Sequence, residues 1–213
     1  MERKIGILVD YSQTLVNTVS FYLANPDIFL VNLAYSIVNF LRCFLNYKKI
    51  RPSELVYYFL LEEDKRSEKI LKRIKRQLDL YVDKNLLNLI MKLSENEKYD
   101  VKIVSSSSQK IIKGILEEIE KRYGRKTNIE IIASSPESFI LTKTKGEIAK
   151  SYTYPKICFV DAQNDKELSE NCEISILKAS LIFYLSKEKP RGYRPRKKEF
   201  KEVLKLLENK LLS

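Results

Sequence analysis

The sequence predicts an α/β fold: a three-layer core around a mostly parallel sheet, interrupted early by a long helical insertion. Three observations predict it. Short apolar runs end in polar residues at three places: Gly6 to Val9 before Asp10, Val101 to Val104 before Ser105, and Ile157 to Val160 before Asp161. From Tyr99 onward, strand-like and helix-like patterns alternate, which implies parallel pairing through right-handed crossovers. Between Asn17 and Lys98 the pattern is helical, with no comparable strand.

Taken in order, the first strand is Ile5 to Val9, and the turn-formers Ser12 and Gln13 follow Asp10. Asn25 reads as a helix cap, with Pro26 in the first turn and Asp27 favouring the helix dipole. The helix from there to about Leu45 is apolar on most faces, but Asn32, Ser36 and Asn39 form one polar stripe. That stripe and the short length favour a helix buried between others over a membrane span. Ser53, after Arg51 and Pro52, reads as the cap of another helix. In the segment 65–76, Lys65, Arg66, Lys69, Lys72, Arg73, Lys75 and Arg76 interleave with Ile70, Leu71 and Ile74. This is read as a solvated amphipathic face, with a phosphate- or nucleic-acid-contacting face as the alternative.

The second half alternates strand Val101 to Val104, helix Ser108 to Arg122 closed by Gly124, and strand Ile129 to Ile132. A Ser-rich loop, a short helix from Lys145 to Ser151, strand Ile157 to Val160 and a further strand near Ile174 to Ile176 complete the core. Residues 187–198 form a basic connector bearing Pro and Gly. Phe200, Val203, Leu204, Leu207 and Leu211 then mark a last helix.

With 213 residues and 44% hydrophobic content the chain has enough apolar material for a real core. It contains no histidine, which removes the usual general base, the usual zinc ligand and every Ser-His or Cys-His pair. The chemistry left is that of carboxylates, lysines, hydroxyls or a bound metal. Cys43, Cys158 and Cys172 are widely spaced, so neither a disulfide framework nor a zinc cluster is indicated. A net charge of +11 favours an anionic partner: a phosphorylated metabolite, a nucleic acid or an anionic surface. Met1 to Lys4 is unlike a signal peptide and no transmembrane segment is expected, so the expected location is cytoplasmic.

The polar strand ends define a candidate site. Ligands of open α/β folds bind at the carboxyl ends of the strands, and a carboxylate there is a nucleophile, a metal ligand or both. Taken singly, Asp10, Asp161 and Asp165 also suit turns, Ser105 to Ser108 suit a helix cap, and Lys145 suits the surface. Their joint occurrence favours a site.

These motifs, in this order, resemble the haloacid dehalogenase superfamily of magnesium-dependent phosphohydrolases and their relatives. Its first motif, hhhhDxDxT, is similar to the run from Ile7 through Asp10 and Ser12 to Thr14. Its second, a strand ending in Ser or Thr, is similar to Val101 to Ser105 and Ser106. Its lysine at a helix start resembles Lys145, preferred here over Lys143. Its last motif, DxxxD or DxxND after a strand, resembles Asp161, Asn164 and Asp165. The helical stretch lies where this superfamily inserts a helical cap, and the spacing looks closest to its phosphoserine-phosphatase-like branch. The resemblance implies a Rossmann-like core from 1–16 and 99–186, a cap from 17–98, and an added connector and helix from 187–213.

It also implies roles. Asp10 would form an aspartyl-phosphate, and Asp10, Asp161 and Asp165 would serve Mg²⁺, with Asp165 alternatively positioning Lys145. Lys145 would neutralise the transferring group, and Thr14, Ser105, Ser106 and Asn164 would bind substrate, a phosphorylated small molecule. Ser12 departs from the pattern, because phosphatases of this superfamily place an acid/base aspartate there. Gln13 replaces the usual Gly. The expected function is therefore a magnesium-dependent hydrolase of phosphorylated substrates with an atypical acid/base position. The alternative is a degenerate member serving as a nucleic-acid- or protein-binding module, with the basic tail as a contact.

Overall fold

The computed structural model describes residues 4–47, 59, 61–140, 142–161, 165–178, 190–196 and 198–212. Five strands form one all-parallel sheet in the order β3-β2-β1-β4-β5: β1 Ile5–Val9, β2 Tyr99–Ser108, β3 Glu130–Ser134, β4 Lys156–Val160 and β5 Ile174–Leu177. The nine helices named here are α1 Thr18–Ala24, α2 Pro26–Tyr47, α3 Ser67–Arg76, α4 Leu78–Tyr81, α5 Lys84–Ser94, α6 Gln109–Tyr123, α7 Thr142–Lys150, α8 Lys166–Glu170 and α9 Phe200–Leu212.

Side-chain alternation along the strands builds the layers. Ile7, Val9, Val101, Ile103, Ile157 and Phe159 point to one face, where they share a core with α5, α6 and α9. Leu8, Cys158, Val160 and Leu177 point to the other, against Ala149 of α7 and Leu168 of α8. Strands buried on both faces read as continuous apolar runs, which is why β1 and β4 are nearly free of polar residues. α6 ends at Gly124 with φ 64°, the left-handed cap its position predicts. The Ser-rich run is an extension of β2, with a register shift against β3 between Ser105 and Ser108.

The tail closes the sheet edge. Tyr193 bridges Ile176: its N–H bonds Ser175 O at 2.8 Å, and its carbonyl accepts from Leu177 N at 2.9 Å. Gly192 makes this approach feasible, since a Cβ at its φ of 145° would lie 2.4 Å from Ser175 O. Phe200 and Leu204 of α9 are buried in the core, and Lys92 of α5 pairs with Glu208.

Between β1 and β2 the chain is helical. α5 packs on β2 and on α9, which places it in a layer of the core. α3 lies along α6, and Phe21, Ile28, Ile70 and Ile74 join the same apolar cluster as the sheet.

Two expectations are corrected in this region. Asn25 does not cap α2 with its side chain. Its amide donates back to Phe21 O at 2.9 Å, and its Oδ1 accepts from Arg73 at 3.2 Å. Nor is α2 buried between other helices. It turns Ile28, Asn32 and Ser36 inward, and leaves Phe29, Leu30, Val31, Tyr35, Ile37, Val38 and Leu41 exposed. The polar stripe faces in because partners wait there. Arg66 donates to Asn32 Oδ1 at 3.2 Å, and Asn39 donates to Glu62 Oε1 at 3.3 Å. Ser36 Oγ bonds Asn32 O at 2.6 Å. Ser53 and the side chain of Cys43 lie outside the described residues.

Candidate active site

Parallel pairing brings the three polar strand ends to one edge. Val9 is opposite Ile103 of β2 and Phe159 of β4. Asp10, one residue on, therefore sits beside the Val104–Ser105 stretch of β2 and the end of β4 that leads into Asp161. Its N–H continues the ladder to Phe159 O at 2.9 Å. Asp10, Asp161 and Asp165 are all buried, with oxygens within 4.8 Å of one another.

Lys145 ties this cluster together. It projects from α7, is 2% exposed, and its Nζ donates to Asp10 Oδ1 at 2.7 Å and to Asp165 Oδ1 at 2.5 Å. Lys143, two residues away on the same helix, is exposed. The Asp165 Oδ2 accepts from Asp161 N at 3.3 Å, which fixes the turn after β4. Burial, reinforced by the Asp165 charge, pushes the Asp10 carboxyl up to about 7 against the opposing pull of Lys145. Burial alone would lower Lys145, but the charges of Asp10 and Asp165 outweigh it and hold its ammonium above the usual lysine range.

The loop after β1 is held from several sides. Ser12 Oγ shares a hydrogen bond with Thr18 Oγ1 at 2.7 Å. Gln13 adopts φ 64° and is buried, a backbone state that costs a non-glycine residue about 1–3 kcal/mol. Its side chain supplies a compensating role. With the amide oxygen turned to α1, it accepts from Thr18 N at 3.0 Å and Val19 N at 2.7 Å, satisfying donors at the helix start. Thr14 is fully buried. Its carbonyl accepts from Lys178 Nζ at 2.8 Å, and its hydroxyl lies close enough to Asp10 to lower that carboxyl's pKa.

On the β2 side, Ser105 is fully buried, with its Oγ accepting from Ser107 N at 3.1 Å, while Ser106 is half-buried. Asn164 lies outside the described residues.

Several contributors carry no motif. Lys178 follows β5 and joins Thr14 O to Asp83 Oδ2, the latter at 2.7 Å. Glu63 and Asp64, from the helical insertion, reach the start of α6. Ser108 N donates to Glu63 Oε2 at 3.4 Å, and Ser108 Oγ donates to Asp64 Oδ1 at 2.9 Å. Burial raises Glu63 above the ordinary glutamate range despite hydrogen bonds from Tyr22 and Ser108. Tyr11 is buried beside Asp10, and its hydroxyl has no hydrogen-bond partner among the described residues. Burial, then the charges of Glu63 and Asp10, push its phenol up, so a carboxylate of the helical insertion and the strand-end carboxylate act on one side chain. The only sequence signal for this group is the run Glu62, Glu63, Asp64, which composition alone assigns to solvent.

The donor set fits a hard divalent cation. Three buried carboxylates offer only oxygen, and Asp10 Oδ2 is buried with no hydrogen-bond partner among the described residues. Oxygen-only ligation suits Mg²⁺ rather than a soft metal.

The sheet order, the inserted helices and this edge define the class: the chain has the haloacid dehalogenase-like fold. It is similar to a phosphoserine phosphatase solved as a phospho-aspartyl intermediate analogue, at TM-score 0.53 and 19% identity, over 96% of this chain and 99% of that one. A phosphoserine phosphatase from T. onnurineus matches at TM-score 0.52 and 14% identity, over 95% and 94% of the two chains. A haloacid dehalogenase-like hydrolase from Streptococcus pneumoniae matches at TM-score 0.53 and 13% identity, over 97% and 100%. Neither a family model nor a curated protein sequence matches the chain, so its likeness to known proteins lies in its structure.

Proposed function

We propose that this chain is a magnesium-dependent hydrolase of phosphorylated small molecules acting through Asp10. The observation that carries the reading is the buried Asp10–Lys145–Asp165 contact beside Asp161, at the carboxyl edge of a haloacid dehalogenase-like sheet. A salt bridge this deep is expensive to maintain for stability alone. Its place where open α/β folds bind ligands supports a chemical role.

The chemistry follows from the side chains. An Asp10 oxygen attacks phosphorus, the bond from phosphorus to the leaving oxygen breaks, and an acyl phosphate forms on Asp10. Water then cleaves that acyl phosphate and regenerates the carboxylate. Lys145 offsets negative charge on the transferring group, and Ser105, on β2 beside Asp10, is assigned to binding its oxygens. Mg²⁺ held by Asp10, Asp161 and Asp165 would supply electrostatic relief between the carboxylate and the phosphoryl group.

Ser12 sets the limit of this site. Its hydroxyl is engaged with Thr18 and is a poor proton donor near neutral pH. Leaving groups that depart without protonation, such as acyl and aryl phosphates, are accordingly the favoured substrates. The test is a panel of phosphorylated compounds assayed with Mg²⁺ against the Asp10→Asn protein. Turnover that requires both Mg²⁺ and Asp10 supports the reading. Turnover retained in Asp10→Asn, or absent from the whole panel, removes it and favours the binding-module alternative.

A further inference from the structure

Helix α2 is inverted with respect to solvent. Its polar stripe, Asn32 and Ser36, is fully buried, while Leu30 is 59% exposed, Val38 45% and Leu41 49%. Leu30, Ala34, Ile37 and Leu41 follow one another at spacings of four and three, and Val31, Tyr35 and Val38 form the adjacent row. Residues at such spacing are surface neighbours, so the two rows make one apolar strip. From Leu30 to Leu41 it runs about 16 Å at the helical rise. Leu23 of α1, 75% exposed, adds to the same apolar segment of chain. Scattered exposed apolar residues need no explanation, but a continuous strip of this kind marks an interaction surface.

The border of the strip is mostly basic: its exposed acids, Asp27 of α2 and Glu68 of α3, are outnumbered by exposed Lys65, Lys69, Lys72 and Arg76, and Asp27 is paired with Arg73 and Lys69. α3 lies beside α2, fixed by Arg73, which grips Asp27 at 2.6 Å and 2.9 Å, and by Arg66, stacked 4.4 Å over the Tyr35 ring. Lys65, Lys69, Lys72 and Arg76 on the α3 side are exposed. A helix that is apolar outward and flanked by exposed lysines has the composition of an interfacial membrane element. Among the described residues, no single helix is long and apolar enough to cross a membrane, and α1 and α2 meet at 100°. The buried stripe also ties α2 to Glu62 and Arg66, which holds the helix against the fold with its apolar face outward, the orientation needed to lie along a bilayer.

We propose that the α2 strip and the α3 lysines form a docking surface for an anionic lipid bilayer. The apolar side chains would enter the headgroup boundary, and the lysines and Arg76 would contact anionic headgroups. Charge complementarity selects this occupant. A second copy would bring two chains of net charge +11 together, whereas an anionic surface attracts them. A nucleic acid would match the lysines but leave the apolar strip in water. The proposal is independent of the phosphohydrolase reading.

The test is co-sedimentation of the full chain with phosphatidylcholine vesicles, with and without phosphatidylglycerol, at low and high salt. Two doubly substituted proteins are compared, Leu30→Ser with Val38→Ser, and Lys69→Glu with Lys72→Glu. Circular dichroism checks that each remains folded. Binding to the phosphatidylglycerol vesicles is expected, weakened at least about tenfold by either pair, since each lysine near an anionic surface contributes about fivefold. No binding to phosphatidylglycerol vesicles overturns the proposal. Binding unchanged in both substituted proteins also overturns it and moves the contact to the basic connector. A dimer in solution that Leu30→Ser with Val38→Ser dissociates, without vesicle binding, overturns it in favour of a second copy.

Discussion

The carboxyl edge of the sheet and helix α2 both turn polar side chains inward, yet they do so for different reasons. At the sheet edge, three carboxylates and one ammonium are enclosed among apolar strands, with contacts of 2.5 and 2.7 Å. Along α2, the inward groups are mostly neutral amides and a hydroxyl, reached from outside by Arg66, whose side chain is 24% exposed. The first arrangement concentrates charge where charge is costly. The second covers ordinary polar groups and leaves apolar ones in contact with water. One region is therefore under electrostatic tension and the other has unburied apolar surface, and each departs from what stability alone would select.

That contrast predicts unequal costs for cutting the two regions. Lys145→Met leaves Asp10 and Asp165 buried without their ammonium, and breaking such a pair costs about 3–5 kcal/mol. Arg66→Met removes a hydrogen bond to Asn32 and one ion pair to Glu62, which still holds Lys65 at 2.8 Å. The expected cost is about 1.5–3 kcal/mol, the range for hydrogen bonds to charged groups. Urea unfolding in the presence of a chelator measures both without help from a bound cation. Equal costs would erase the distinction.

The next effect is on rate. If the carboxyl edge lacks only its proton carrier, Ser12→Asp should raise hydrolysis of alkyl phosphates at least about tenfold, part of the hundred- to ten-thousand-fold that acid/base groups supply. Acyl phosphates should gain much less. A uniform loss on both substrates would instead assign the Ser12–Thr18 contact to holding the loop.

The smallest effect concerns Glu63, which links Tyr22 of α1 to Ser108 at the end of β2. Its folded carboxyl is raised above its ordinary value of 4.5. The folded chain then binds a proton that the unfolded chain has released, so this group's contribution is full below about 4.5 and is lost as pH rises through the folded value. Glu63→Gln should flatten the fall in stability above pH 4.5, read as thermal midpoint against pH. An unchanged slope would place the proton elsewhere.

The core was legible because its signals were local. Apolar runs without alternation located β1, β2 and β4, and the first polar residue after each run marked the shared edge, so Asp10, Ser105 and Asp161 followed directly. Lys145 was legible only through its motif, since nothing in its own neighbourhood separates it from the exposed Lys143. Helix α2 shows what periodicity leaves open. The stripe of Asn32 and Ser36 was visible, but a stripe does not state which side faces in. That depended on Glu62 and Arg66, roughly thirty residues away in the chain. Glu63, Asp64 and Lys178 were not legible at all, because their importance comes from Tyr22, Ser108 and Thr14, which only the fold brings to them.

The measurement that bears most directly on the central claim is covalent capture at Asp10. The protein is incubated with an acyl phosphate and Mg²⁺, quenched in acid, and examined by intact and peptide mass spectrometry. A phosphoryl adduct on the peptide containing Asp10 is expected, slow to decay because Ser12 is a poor activator of water, and absent from Asp10→Asn. Turnover without an adduct at any quench time, or an adduct of equal yield in Asp10→Asn, would contradict the assignment of Asp10 as the nucleophile.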